Sequence, residues 1–248
     1  RFFLVRSSRD LHRIDICSYT IGQDSIVPII QERMNTYQET RPLAVLNKGK
    51  ELIHWSERDG WAHLYLYDEQ AKIPSGRELQ VAFEQTLVEK RDAYAAYWAK
   101  QQEWREMMVV KGNVEQVLKV DEATRTIYFV GNGKEEGENP YYEQLYKVNV
   151  NGSGLKRITK GEYFHKVKID DDARFIVDNY SRVNTIPCAD LLDREGNKVM
   201  TIQESDFSQL KAAGYRFPEP FVVKAADGVT DLYGVMYKPY DFDSTKVY

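Results

Sequence analysis

Short runs of apolar and aromatic residues recur along this chain at strand length, and polar loops separate them. The run that begins each unit lies at residues 2–5, 52–55, 127–130 and 175–178. A second run follows each of these, at residues 11–17, 64–67, 145–150 and 189–192. Aromatic and β-branched runs of this length, bounded by turn residues, are typical of β-strands.

The turn residues between these runs repeat as well. They are Gly22-Gln23-Asp24, Asp68, Asn151-Gly152 and Gly196-Asn197. Asn-Gly and Gly-Asn tolerate positive φ and therefore indicate hairpins. The units recur at roughly 50 residues with one longer gap, which is close to the period of four-stranded propeller blades. We therefore predict an all-β fold, a partial β-propeller of about four blades. A two-sheet sandwich explains the strands but not the repeat of loop and turn chemistry.

The longer gap has a helical pattern, at residues 75–105. Ser75 and Glu78 have the spacing of a capping box. Leu79, Phe83 and Leu87 then recur every four residues, which indicates a helix. We predict one or two helices inserted into a blade. They serve either as a lid or partner-docking element or, as we prefer, as an insertion that packs on the propeller.

The last part of the chain departs from the repeat. Residues 207–213 indicate a short helix ended by Gly214, and residues 221–237 indicate a long hairpin around Asp227-Gly228. We therefore expect two regions: propeller blades over 1–206, and a last propeller segment with a hairpin connector over 207–248. The chain starts in one strand-like run and stops at another, residues 246–248, so we expect a piece of a longer protein.

Composition excludes several classes of protein. Hydrophobic residues make up 42% and charged residues 29%, as in folded soluble domains. The net charge of -4 comes without a clustered basic face, so we expect no nucleic-acid partner. No apolar run is long enough to cross a bilayer, and no signal peptide opens the chain. Cys17 and Cys188 neither require nor exclude a disulfide.

Residues that carry chemistry are sparse. The four histidines are isolated, without cysteine or histidine at metal-ligand spacing, so we predict no metal site and no cofactor. Gly131-Asn132-Gly133 lacks the context of a phosphate loop, and no Gly-x-Ser-x-Gly nucleophile motif occurs. Glu135 and Glu136 form a carboxylate pair that could hold an ammonium group, but a solvated loop is the preferred interpretation.

Four blocks of sequence together resemble one known family. HWSERDGWAHLYLY at 54–67 resembles a late propeller blade of the dipeptidyl-peptidase IV branch of the prolyl-oligopeptidase serine peptidases. The same branch is similar at TIYF (126–129), followed by NPYY (139–142) and Leu145-Tyr146, and at VDNYS (177–181). The fourth block, from Asp227-Gly228 to Lys238-Pro239, resembles the hairpin that leads into the α/β-hydrolase domain.

The resemblance implies an eight-bladed propeller joined to an α/β-hydrolase domain, in a periplasmic or secreted enzyme. Such enzymes release N-terminal dipeptides of the Xaa-Pro or Xaa-Ala type from peptides with a free N-terminus. The Ser-Asp-His triad is then expected beyond Tyr248 and the ammonium-binding glutamates before Arg1. This chain would contain no catalytic residue and would gate and position the substrate.

One substrate-binding candidate follows from the resemblance. Tyr37 falls near the position where the family places an aromatic residue in its extended substrate pocket, although the flanking arginines of the family are missing. The alternatives are a stand-alone propeller that binds a protein partner through the helical insert, and a pure scaffold. Because about four blades would leave open edges and apolar faces, we expect a homo-oligomer.

Overall fold

The computed structural model describes residues 1–68, 105–110, 113–239 and 241–246. The predicted helical insert at 75–105 falls outside these residues except for its last position, and so do residues 247 and 248 of the expected final strand. The described chain forms two compact units. The first comprises the described residues within 1–114, 122–126 and 148–154, and the second comprises those within 115–121, 127–147 and 155–248.

The first unit contains two antiparallel sheets, each a meander in sequence order. The strands of the first sheet are β1 (Phe2–Ser7), β2 (Arg13–Tyr19) and β3 (Val27–Arg33). Those of the second are β4 (Ala44–Leu46), β5 (Glu51–Ser56), β6 (His63–Asp68) and β7 (Arg105–Val110), with a 3-10 turn at Asn47–Gly49 after β4. Ile16 and Ile30 from the first sheet pack against Leu52, Tyr65 and Tyr67 from the second. The two sheets therefore face each other, as neighbouring blades do.

Two further four-stranded sheets, most of whose residues belong to the second unit, repeat this arrangement. The first of them contains β8 (Val114–Asp121), β9 (Thr126–Gly131), β10 (Gln144–Asn149) and β11 (Lys156–Arg157). The other contains β12 (Phe164–Ile169), β13 (Phe175–Ser181), β14 (Cys188–Asp193) and β15 (Lys198–Glu204). Tyr128, Leu145 and Ile158 pack against Val167 and Ile176 across the two sheets. One apolar core therefore serves both sheets.

A short helix and a two-stranded hairpin complete the second unit. The helix α1 (Ser208–Ala212) precedes the strands β16 (Glu219–Lys224) and β17 (Asp231–Met236). Both elements lie where the sequence pattern predicted them. Phe221 lies opposite Gly234 in the register, and a Cβ at Gly234 would come closer than 3.0 Å to the Phe221 ring. The glycine therefore makes room for the aromatic ring on this face of the hairpin.

The sequence pattern predicted the central strands of the sheets correctly, but it missed several of the strands at the sheet edges. The predicted opening runs at 52–55, 127–130 and 175–178 are second strands of their sheets, because β4, β8 and β12 precede them. The strand expected to start at residue 11 starts at Arg13, since Leu11 has a φ of 57°. Among the described residues, no helix is long and apolar enough to cross a membrane.

Candidate functional site

Tyr37 lies on a loop of the first unit, between β3 and β4, and its side chain is 65% exposed. Backbone hydrogen bonds hold the loop on both sides of this residue. The Met34 amide donates to the His12 carbonyl at 3.0 Å, and the Gln38 amide donates to the Leu11 carbonyl at 2.9 Å. Tyr37 is therefore an exposed ring on a short, anchored segment.

The Gln38 side chain adds a further anchor below Tyr37. Gln38 is 3% exposed, and its Nε2 donates to the His12 carbonyl at 2.5 Å. Further along, the Arg41 guanidinium lies over the Trp55 ring at 5.3 Å and pairs with Glu39 at 3.0 Å. The arginines that the family places next to Tyr37 are absent from this chain. The guanidinium of Arg41 contacts Trp55 and Glu39 instead. The loop therefore presents an aromatic surface without an adjacent free positive charge.

A buried contact between a carboxylate and an imidazole lies beneath this loop. Glu32 at the end of β3 is 3.2 Å from Nε2 of His54 on β5, and both residues are buried. Burial raises the pKa of Glu32, but hydrogen bonds from His54 and Ser56 and the charge of Arg58 outweigh it. The pKa of Glu32 is therefore below its usual value, and the carboxylate stays ionised inside the unit.

The turn between β5 and β6 is held by aromatic and ionic contacts. The Arg58 guanidinium lies 3.8 Å from the centre of the Tyr65 ring and donates to Tyr67 Oη at 2.8 Å. Tyr65 Oη donates to the Asp59 carboxylate. Burial and this hydrogen bond raise the pKa of Tyr65 to about 12. Arg58 and Asp59, both part of the block that carried the family resemblance, are therefore structural parts of the turn.

A narrow cleft lies between the Tyr37 loop and the end of β5. Its lining residues are Ile14, Glu32, Met34, Gln38, Glu39, Trp55, Ser56 and Glu57. Gln38 and Glu39, the residues that follow Tyr37, both line this cleft. The cleft has no room for a water molecule between these side chains, so it is not a binding pocket.

The carboxylate pair at Glu135-Glu136 lies in the second unit, on the loop between β9 and β10. Glu135 Oε1 accepts a hydrogen bond from Tyr146 Oη at 2.9 Å, and its Oε2 lies 3.7 Å from the Arg157 guanidinium. Glu138 pairs with the same arginine at 2.8 Å. The Glu135 side chain therefore ties its loop to β10 and β11, while Glu136 is exposed. The geometry supports the interpretation that this pair is not an ammonium site.

The described residues also contain pairs of a histidine and a carboxylate side chain. Sequence patterns do not reveal these pairs, because their members lie on different strands. His165 on β12 and Asp178 on β13 are 2.9 Å apart, and both are buried. The other ring nitrogen of His165 is 3.5 Å from the Gly161 carbonyl, and the Tyr163 and Tyr180 rings contact the imidazole. A histidine enclosed in this way holds two strands together and is not placed to activate a nucleophile.

In the described ranges, no group of three or more histidine, cysteine or acidic side chains is arranged to hold a metal ion. Cys17 and Cys188 are both free thiols. Burial raises the pKa of Cys17. Cys17 is therefore not an activated thiolate of the kind that catalysis requires.

Comparison with known proteins places these features in a family. The model described as "Dipeptidyl peptidase IV (DPP IV) N-terminal region" matches residues 1–187. Dipeptidyl peptidase 8 from Homo sapiens is 31% identical over 139 residues, which are 53% of this chain and 15% of that protein. The Mus musculus protein of the same name is 30% identical over 137 residues, again 15% of its length.

Two solved structures share the fold. A putative dipeptidyl aminopeptidase IV from Bacteroides ovatus has a TM-score of 0.71 at 20% identity and covers 99% of this chain. Porphyromonas gingivalis dipeptidyl peptidase 4 has a TM-score of 0.70 at 16% identity and covers 97%. This chain spans 33% and 30% of those two chains. The all-β, propeller-type fold predicted from the sequence is therefore confirmed.

Proposed function

Because this chain belongs to the dipeptidyl peptidase IV family, we propose that it gates and positions peptide substrates in a serine dipeptidyl peptidase. The parent enzyme removes dipeptides of the Xaa-Pro or Xaa-Ala type from peptides with a free N-terminus. The family match over residues 1–187 carries the proposal. The triad belongs to an α/β-hydrolase domain of the same parent chain, and this chain contributes no catalytic residue.

The Tyr37 loop supports a role in positioning substrate. An exposed aromatic ring binds proline and aliphatic side chains well, because it offers a large apolar surface at little cost in conformational entropy. The anchored backbone on both sides of Tyr37 reduces that cost further. We assign Tyr37 to the binding of substrate and not to its cleavage.

The activity itself is tested on the full-length parent protein with Ala-Pro and Gly-Pro chromogenic reporters. Release of the chromophore, together with no release by the 248-residue chain alone, is the expected pair of results. A correctly folded full-length protein that leaves both reporters intact overturns the proposed function.

Replacing Tyr37 by alanine in the full-length enzyme is expected to raise KM about fivefold with little change in kcat. The loss of one aromatic contact costs about 1 kcal/mol, which corresponds to about a fivefold change in affinity. A contact made equally in the ground state and the transition state changes KM alone. Steady-state kinetics on a tetrapeptide substrate measure both constants. Tyr141→Ala, at a ring of similar exposure on the second unit, is the control, and equal effects in the two variants contradict the assignment.

We also propose that the parent enzyme works in the periplasm or outside the cell, as the resemblance to its family implies.

We further propose that the parent enzyme forms a homo-oligomer. The edge strand β15 supports association, since all seven of its residues are exposed and Val199, Met200 and Ile202 are among them. Exposed apolar edge strands favour pairing with another chain. Light scattering on the 248-residue chain at rising concentration should show association, and the substitution Met200→Lys should reduce it. A monodisperse monomer at high concentration contradicts this part of the proposal.

A further inference from the structure

Three arginine side chains converge on one buried carboxylate in the first unit. Asp15 lies on β2 and is 1% exposed. Arg6 is its direct cross-strand partner on β1, and Arg13 lies two residues before it on the same face of β2. Arg33 on β3 is directly opposite Arg13. Three neighbouring strands therefore bring their arginines to one place, which we call the arginine cap (Arg6, Arg13 and Arg33).

Asp15 holds the cap in a defined geometry. Its Oδ2 accepts from Arg6 Nη2 at 2.6 Å and from Arg13 Nη2 at 3.1 Å, and its Oδ1 is 2.8 Å from Arg33 Nη2. Burial raises the pKa of Asp15, but the hydrogen bonds from the three arginines outweigh it, so the pKa is below its usual value. The carboxylate is therefore ionised and anchors all three guanidinium groups.

One carboxylate does not balance three guanidinium groups. In residues 1–68, 105–110, 113–239 and 241–246, Asp15 is the only acid within 4.0 Å of the cap. The side chains of Arg6, Arg13 and Arg33 are 59%, 49% and 41% exposed. Like charges placed directly opposite on adjacent strands destabilise a sheet, and Arg13 and Arg33 are such a pair. The cap is therefore an exposed, fixed site with surplus positive charge.

Unused hydrogen-bond donors remain on the cap. Arg33 Nη1 donates to the Glu32 carbonyl at 2.6 Å. Arg6 uses Nε and Nη2 on Asp15, and so does Arg13. Among the residues that the structure describes, Nη1 of Arg6 and Nη1 of Arg13 have no hydrogen-bond partner. Two guanidinium groups therefore offer free N–H donors while their other edges are fixed.

We propose that the arginine cap binds an oxyanion, a phosphate or a carboxylate group. Guanidinium groups recognise both through paired N–H donors, and groups already held in place lose little entropy on binding. Arg6 and Arg13 donate to the anion, and Arg33 contributes its charge. The exposed site is screened by salt, so binding weakens as ionic strength rises. The proposal stands independently of the peptidase function.

The test uses the 248-residue chain with inorganic phosphate and citrate as separate probes. Calorimetric titration at constant ionic strength, balanced with sodium chloride, should show saturable binding of at least one probe. Stronger binding of phosphate identifies a phosphate site, and stronger binding of citrate identifies a carboxylate site. Binding of neither probe above the sodium chloride control overturns the proposal.

Variants separate the cap from general charge effects. Arg6→Gln should weaken binding at least fivefold while Arg13 and Arg33 still hold Asp15, and Arg6→Lys should weaken it less. Arg174→Gln is the matched control, because Arg174 is 62% exposed and pairs with Asp172 at 3.2 Å in the second unit. Circular dichroism and unfolding midpoints confirm that each variant is folded. If Arg6→Gln and Arg174→Gln change the affinity equally, the cap is not the site.

Discussion

Replacing His165 by leucine is expected to lower the free energy of unfolding of the second unit by about 3 kcal/mol. The substitution leaves the Asp178 carboxylate buried, at 3% exposure, without the imidazole that lies 2.9 Å away. Removing one partner of a buried hydrogen-bonded pair costs more than the pair itself contributes, because the other polar group stays desolvated and unpaired. Urea unfolding followed by fluorescence measures the loss.

Two further variants isolate the cause of that loss. The double variant His165→Leu/Asp178→Leu removes both polar groups and should recover much of the stability. His12→Leu replaces an exposed histidine and should change the free energy of unfolding by less than about 0.5 kcal/mol. If the double variant is as unstable as the single one, lost packing and not an unpaired carboxylate explains the effect.

Replacing Gly196 by alanine should destabilise the second unit by about 3 kcal/mol, the sum of a strained backbone and a steric clash. Gly196 has a φ of +83°, in the left-handed region, which costs a residue with a Cβ about 1–2 kcal/mol. A Cβ would also come closer than 3.0 Å to the carbonyl oxygen of Ile158, which is backbone of a buried residue and has little room to move. The backbone of the turn would therefore have to shift. Thermal unfolding measures the effect.

Gly228→Ala is the matched control for this prediction. Gly228 also has positive φ, +70°, and lies in the same unit, but no atom lies within 4 Å of the position that a Cβ would take there. Its substitution should cost only the conformational strain of about 1–2 kcal/mol. Equal losses for the two glycines would show that the approach to Ile158 does not contribute.

The central strands of the sheets were predictable and several edge strands were not, for a physical reason. β5 and β6 are buried on nearly every residue, so they appear in the sequence as runs made mostly of apolar and aromatic residues. β15 is exposed throughout, and β4 has only three residues. Such strands form because a neighbouring strand offers hydrogen-bond partners, and that information is not in their own composition.

The candidate site also has one part that the sequence suggested and other parts that only the fold reveals. Tyr37 could be proposed from the resemblance alone, because the residue type and its position along the chain were sufficient. The backbone bonds from Met34 and Gln38 that anchor it could not, since they join loops more than 20 residues apart. The arginine cap depends on strand register as well, because a shift of one residue would move Arg6 to the other face of its strand.

By itself, the sequence determined that this is an all-β, repeating chain of the dipeptidyl peptidase IV family. Local apolar runs, turn residues and four family blocks carry that information within short stretches. Only the tertiary structure decided which polar side chains meet. Glu32 with His54, His165 with Asp178, and Asp15 with its three arginines are each joined by strand pairing or sheet packing. Burial then gives these pairs their effect, because a charge removed from water requires a partner that only the folded chain can bring to it.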